Sequence, residues 1–236
     1  YPRWLEHLWL GAGGPDFYFY APLPYWLAGT LRFIACPGCD ASQLLALTGF
    51  VLLAISGLGF RAFALRFASR GAANVAAILY MALPYHLGAD WYDRLAFGEF
   101  MATALLPWLL AAFIDCASGR SGGVRLALLS GLVVLSHLPS TMIVATGCLG
   151  LMLFTGRERG WRSFSTPIVA GVIGFGLAAF YWYPAVTLLD SIRDDLLQLP
   201  YTQWRYNTLQ PANFGRSLFY DMIIRDYISV SSDDYP

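Results

Sequence analysis

The chain has 236 residues, 57% hydrophobic, 16% aromatic and only 13% charged, with a formal charge of zero. Soluble domains carry about 25% charged residues, so this composition, with a mean hydropathy of +0.52, excludes an ordinary soluble globule. Neutrality also removes the electrostatic ground for a nucleic-acid partner, and fifteen arginines stand without a single lysine.

The chain opens Tyr-Pro-Arg, without Met or a secretory signal, and closes Ser-Asp-Asp-Tyr-Pro. It reads as the middle of a longer polypeptide. The first segment, 1–41, is expected to be an outer loop rich in Gly, Pro and aromatics. Glycines let backbone approach a ligand and aromatics offer flat faces to a sugar or an isoprenoid chain, so Arg3, Asp16 and Tyr20 are candidate binding residues. The competing reading is an interfacial aromatic belt. The apolar patch Ala21–Ala35 is short for a crossing and is read as an interfacial or re-entrant helix.

Cys36 and Cys39 form a Cys-Pro-Gly-Cys pair. Alone it is half a zinc site at most. Free thiols are the expectation, with a disulfide the alternative on an oxidising face.

A crossing needs about 20 mostly apolar residues. Six stretches qualify with help from their flanks: Ser42–Phe60, Ala72–Leu87, Phe100–Ile114, Val124–Ser136, Pro139–Phe154 and Thr166–Leu189. The fold class is thus all-α, a polytopic helix bundle of about six spans plus an interfacial helix in the first outer loop. The domains are 1–41 (outer loop), 42–189 (bundle) and 190–236 (the start of a further outer segment). With 1–41 outside, eight arginines fall in three short inner loops, as the positive-inside rule requires. Thirteen of the fifteen acidic residues fall outside or at the outer boundary, so chemistry is expected on that face.

The stretch Gly88-Ala-Asp-Trp-Tyr-Asp-Arg-Leu-Ala-Phe-Gly-Glu99 stands out. Ionisable groups beside hydrocarbon are costly and their clustering is a hint of function. Arg94 suits a lipid phosphate, which a guanidinium grips with two N–H groups. Asp93 and Glu99 are candidates for a catalytic base, a sugar contact or a divalent-cation ligand, with Tyr92 beside them. The plainer readings are an Arg94 pairing with Asp90 or Asp93, and a Glu99 that only favours the next helix's N-terminus. His137 sits in a tight outer turn and is a candidate hydrogen-bonding partner of substrate. His7 and His86 complete the histidines, without the spacing of a zinc site. No metal ligand set is assigned and no cofactor is certain, though a divalent cation is compatible.

Three stretches together resemble a known family. They are Pro2-Arg-Trp…Gly-Gly-Pro…Phe-Tyr-Ala-Pro-Leu-Pro-Tyr, then Tyr92-Asp-Arg-Leu-Ala-Phe-Gly-Glu99, and Phe180-Tyr-Trp-Tyr-Pro-Ala185 followed by Asp190. The chain resembles the bacterial 6-pyruvoyl-tetrahydropterin synthase-related membrane proteins, whose architecture is similar to GT-C glycosyltransferases. That resemblance implies a sugar transferase using a polyprenyl-phosphate donor, a membrane lipid, on the extracytoplasmic face of the bacterial inner membrane. It also implies a base aspartate upstream of Tyr1. Asp16 lies later than that pattern wants, and Asp190 stands where the family tends to show Glu. The pterin label implies a soluble zinc enzyme, for which the residues offer no site. The alternatives are a transporter or lipid flippase, favoured by charges and breaks within spans, and a non-catalytic anchor subunit.

Overall fold

A computed structural model describes residues 4–6, 9–11, 13, 14, 16–160 and 164–188. Arg3, His7 and the whole 190–236 segment lie outside the described residues. Apart from an antiparallel bridge between Leu5 and Gly14, the described elements are helical: α1 (Asp16–Phe19), α2 (Leu23–Ile34), α3 (Ala41–Ala64), α4 (Arg70–Met81), a π-helical elbow (Pro84–Asp93), α5 (Phe97–Ala117), α6 (Gly123–Ser136), α7 (Leu138–Arg159), α8 (Ser165–Leu177) and α9 (Ala179–Thr187).

Local chemistry explains where these helices begin. Asp40 starts α3 with a capping box: its carboxylate accepts from the Gln43 amide at 2.8 Å, and the Gln43 side chain accepts from the Asp40 N–H at 3.1 Å. Two donors at the helix start are thereby satisfied. Ser69 caps α4 through the Ala72 amide. Pro84 ends that helix, since the residue before a proline is pushed out of the helical region, and Leu83 has φ −55° and ψ 129°.

By length and apolarity α3 and α5 qualify as membrane crossings, and α8 with α9 makes a third if the bent pair counts as one. The six crossings expected are not reached by that measure. At 1.5 Å per residue, the 12 residues of α4 and 14 of α6 extend only about 18 and 21 Å, short of a hydrocarbon core of about 30 Å. The described side chains of α7, Leu138–Leu153, form a further short apolar helix. The stretch 21–35 holds only the 12-residue α2.

The long stretch Thr166–Leu189, expected as one span, breaks at Ala178 and bends by 67°. Glycines at 174 and 176 weaken the helix just before the break. The Ala178 N–H is shared between the carbonyls of Gly174 and Phe175. Cys36 and Cys39, expected as free thiols, are joined in a disulfide with Cα atoms 5.4 Å apart. Their two-residue spacing and the tight turn that returns the Cys39 N–H to the Cys36 carbonyl bring the sulfurs within bonding reach.

The central helix is α5, apolar all round and buried along most of its length, as a helix with no polar stripe must be. It packs against α3 through small-residue sites. The Trp108 indole lies over Gly59 and donates to the Ile55 carbonyl at 2.9 Å, while Trp91 of the elbow lies over Gly49. Without hydrophobic drive inside a bilayer, such close backbone approach is what holds helices together. In the α6–α8 pair backbone meets backbone: a Cβ on Gly131 would come 3.1 Å from the Gly174 carbonyl oxygen.

Gly174→Val drives a side chain into the Ala127 carbonyl and the Ser130 Cβ, and overpacking of this kind costs about 1–3 kcal/mol. We expect a lowered thermal midpoint in detergent. Gly171→Ala, with nothing within 4 Å of its Cβ, should leave the midpoint near wild type. Equal midpoints for both variants would contradict this packing.

Candidate functional site

The elbow connects α4 to α5 at one end of the bundle. Its wide i→i+5 turn is visible in the Arg94 N–H, which donates to the Ala89 carbonyl at 2.9 Å. Such π-turns recur at functional sites. Leu95, at the exit, has φ of 46°, an uncommon conformation for a branched side chain and a sign of local strain.

On this frame Tyr85, Arg94 and Glu99 form a clasp. The Tyr85 hydroxyl donates to Glu99 Oε1 at 2.6 Å. Arg94 Nη2 donates to Glu99 Oε2 at 2.9 Å, and Arg94 Nη1 donates to Tyr85 Oη at 3.3 Å. Both oxygens of Glu99 are therefore engaged, while the Arg94 side chain stays 43% exposed. Beneath the clasp lies Asp90, fully enclosed, with Oδ1 3.8 Å from Arg94 Nη1. Neither Asp90 oxygen has a hydrogen-bond partner. Burial first, and the neighbouring Glu99 charge second, push its carboxyl up to about 7, against the opposing pull of Arg94. A carboxylic acid that titrates near neutrality is suited to accept or release a proton at working pH.

His86 is buried one elbow turn before Asp90. Its ring stacks on Phe100 with centroids 4.5 Å apart, and Nδ1 lies 3.0 Å from the Thr103 hydroxyl. That hydroxyl also meets the Phe100 carbonyl at 2.9 Å. If it donates there it accepts from His86 Nδ1–H, which leaves Nε2 a bare acceptor. Nε2 has no partner.

The neighbouring loops converge on this end. Gly98 lets the first turn of α5 approach the end of α6: a Cβ there would lie 2.6 Å from the Ser136 carbonyl and 3.6 Å from the His137 ring. His137, bonded through Nδ1 to the Ser140 hydroxyl at 2.7 Å, feels the charges of both Glu99 and Arg94, and burial lowers its pKa. Tyr25 sits edge-on between Phe17 at 5.0 Å and Phe97 at 5.7 Å. Trp26 stacks on Phe180, and the Tyr181 hydroxyl donates to the Phe19 carbonyl at 2.9 Å. The described parts of the three short stretches singled out in the sequence thus meet.

Of the candidate residues, Arg94, Glu99 and His137 come together. Asp16 begins α1, with one carboxylate oxygen buried and unpaired, and its charge acts on the Tyr25 hydroxyl. Asp93, Tyr20 and Tyr92 are exposed. Sequence reasoning ranked Asp93 above Asp90 and passed over Tyr85 and Thr103. His86, Asp90 and Arg94 recur every four residues, as do Glu99 and Thr103, a spacing that marks an inward face only once the elbow is known to be helical. Among the described residues no three His, Cys, Asp or Glu side chains gather as metal ligands, so their donor set does not fit the zinc site of the pterin label.

The buried Asp90 carboxyl makes stability depend on pH. The folded state holds the Asp90 proton more tightly than the unfolded chain, so its contribution to stability falls as pH rises from about 4 through about 7. We expect Asp90→Asn to lose that fall, with a thermal midpoint that changes less than wild type between pH of about 4 and about 7 and exceeds it above about 7. A variant that tracks wild type at every pH would contradict the buried neutral carboxyl.

No curated protein and no solved structure matches the chain. A family model does, described as 6-pyruvoyl-tetrahydropterin synthase related domain, membrane protein, over residues 17–211. That range takes in the elbow, the clasp and every helix from α2 to α9, and the chain belongs to this family of membrane proteins.

Proposed function

We propose that the chain is the membrane part of a transferase that takes a sugar from a polyprenyl-phosphate donor, with Arg94 as the phosphate contact. The observation that carries this reading is the clasp. A half-exposed guanidinium is parked on a carboxylate in the first turn of an apolar helix, and a phosphate can take its place, because the same planar fork fits either anion. Arrival of the donor draws Arg94 from Glu99 and thereby frees a base. Glu99, or Asp90 in its ionised form, then accepts the proton of the acceptor hydroxyl. The acceptor oxygen bonds to the anomeric carbon as the carbon–oxygen bond to the phosphate breaks, and the departing phosphate keeps the electron pair under the Arg94 charge.

The resemblance to GT-C enzymes supports this reading, since its stretches meet at the same end. The Cys36–Cys39 disulfide supports an extracytoplasmic location for that end, because disulfides persist in oxidising compartments. The arginines at the opposite end agree with it. On this reading α4, α6 and α7 complete their crossings with flanking residues, giving six spans in a bacterial inner membrane.

A second reading, a transporter or flippase, draws on two observations: the 67° break between α8 and α9 and the buried, unpaired Asp90. Broken helices and intramembrane carboxyls mark transport paths.

The test is binding of a polyprenyl-phosphate sugar to the purified full-length protein. Loss of a charged hydrogen-bonding group is worth about 1.5–3 kcal/mol, so Arg94→Ala should bind the donor roughly tenfold more weakly or worse. Equal binding would remove the phosphate from this site. Tight binding with movement of the lipid between vesicle leaflets, and without sugar transfer, would favour the transporter.

A further inference from the structure

At the opposite end of α5, about 24 Å along the helix from Glu99, lies a second charged cluster. Asp115 accepts from Arg66 Nη2 and Arg125 Nη2 at 2.5 Å each, and Arg120 Nη2 approaches its other oxygen at 3.3 Å. Three guanidiniums, from the turn after α3, the α5–α6 loop and α6, thus surround one carboxylate. Fifteen N–H donors face about four lone-pair positions, and two positive charges remain unbalanced. Arg66 is nearly enclosed, but Arg120 and Arg125 are 59% and 48% exposed. Arg61 and Arg70 stand at the same end, with Arg61 bonded to Asn74 at 2.7 Å. Against these five arginines Asp115 is the one carboxylate among the described side chains here.

An apolar groove of about 450 Å³ begins at Gly123 and Val124, in the same turn as Arg125. It continues between α6 and α8 past Leu128, Val169, Ile173 and Leu177. An excess of cations at headgroup depth beside an apolar groove fits an amphiphile with an anionic head.

We propose that Arg120, Arg125 and the α6–α8 groove form a binding site for an anionic membrane phospholipid, separate from the clasp. The phosphate takes the guanidinium N–H groups that Asp115 leaves over, and one acyl chain lies in the groove. The proposal does not depend on the transferase reading.

The test is native mass spectrometry of the full-length protein, delipidated and then titrated with phosphatidylglycerol, phosphatidylcholine or inorganic phosphate. We expect phosphatidylglycerol to be retained over phosphatidylcholine, and the double substitution Arg120→Gln with Arg125→Gln to weaken it by roughly tenfold or more. Arg120→Lys with Arg125→Lys keeps the charge and should retain most of the binding. Asp115→Asn releases the guanidiniums and should tighten it, a gain that misfolding does not produce. Equal retention of both lipids, or an unchanged double glutamine variant, would overturn the proposal. Inorganic phosphate binding as tightly as phosphatidylglycerol would also overturn it, since the groove would then contribute nothing.

Discussion

A carboxyl group with no hydrogen-bond partner, enclosed beneath an arginine, is the constraint on which this end of the molecule depends. Asp90 contributes charge only at the cost of desolvation, and Arg94 at 3.8 Å is too far for a hydrogen bond to offset it. The group therefore titrates near neutrality and is protonated below it. Arg94 is then free to be held by Glu99 and Tyr85, whose contacts at 2.9 and 3.3 Å set its direction. If Asp90 were ionised, two carboxylates would compete for one guanidinium, and the clasp would have two arrangements. The site is thus built around one shared cation.

The bundle supplies the frame. Trp91, from the elbow itself, fits over Gly49 of α3 and touches Phe100 of α5 with centroids 4.9 Å apart. The elbow is thereby tied to both long helices. Gly98 and His137 tie the same end to α6, and Tyr181 ties it to α1. Each tie uses either a missing side chain or a single hydrogen bond to a backbone carbonyl, the contacts that remain effective where apolar contact alone brings no helices together. The far end is organised oppositely, with an excess of arginine around Asp115. One helix, α5, thus joins two chemically distinct termini.

Much of this was legible in the residues. Composition and the apolar runs together give an all-helical membrane protein, and the clustering of Asp90, Arg94 and Glu99 marks the loop that became the elbow. The choice between Asp90 and Asp93 was not legible. It depends on the π-turn, whose wider pitch alters which residues face inward, and whose i→i+5 bonds carry no composition signal. Likewise Ala72–Leu87 reads as one apolar run, but Pro84 divides it between α4 and the elbow. The break at Ala178 rests on glycines that a hydropathy count treats as neutral. The Cys36–Cys39 bond required knowing how the chain turns between α2 and α3.

The most direct measurement of the central claim is an infrared difference spectrum of the full-length protein at mildly acidic pH, about 5, wild type minus Asp90→Asn. A protonated, unpaired carboxyl absorbs apart from ionised carboxylates, so the account predicts a C=O stretching band of an enclosed acid that is present in wild type and missing from the variant. The absence of that band, with the matching carboxylate band in its place, would show Asp90 ionised and paired with Arg94, and would contradict the clasp as described.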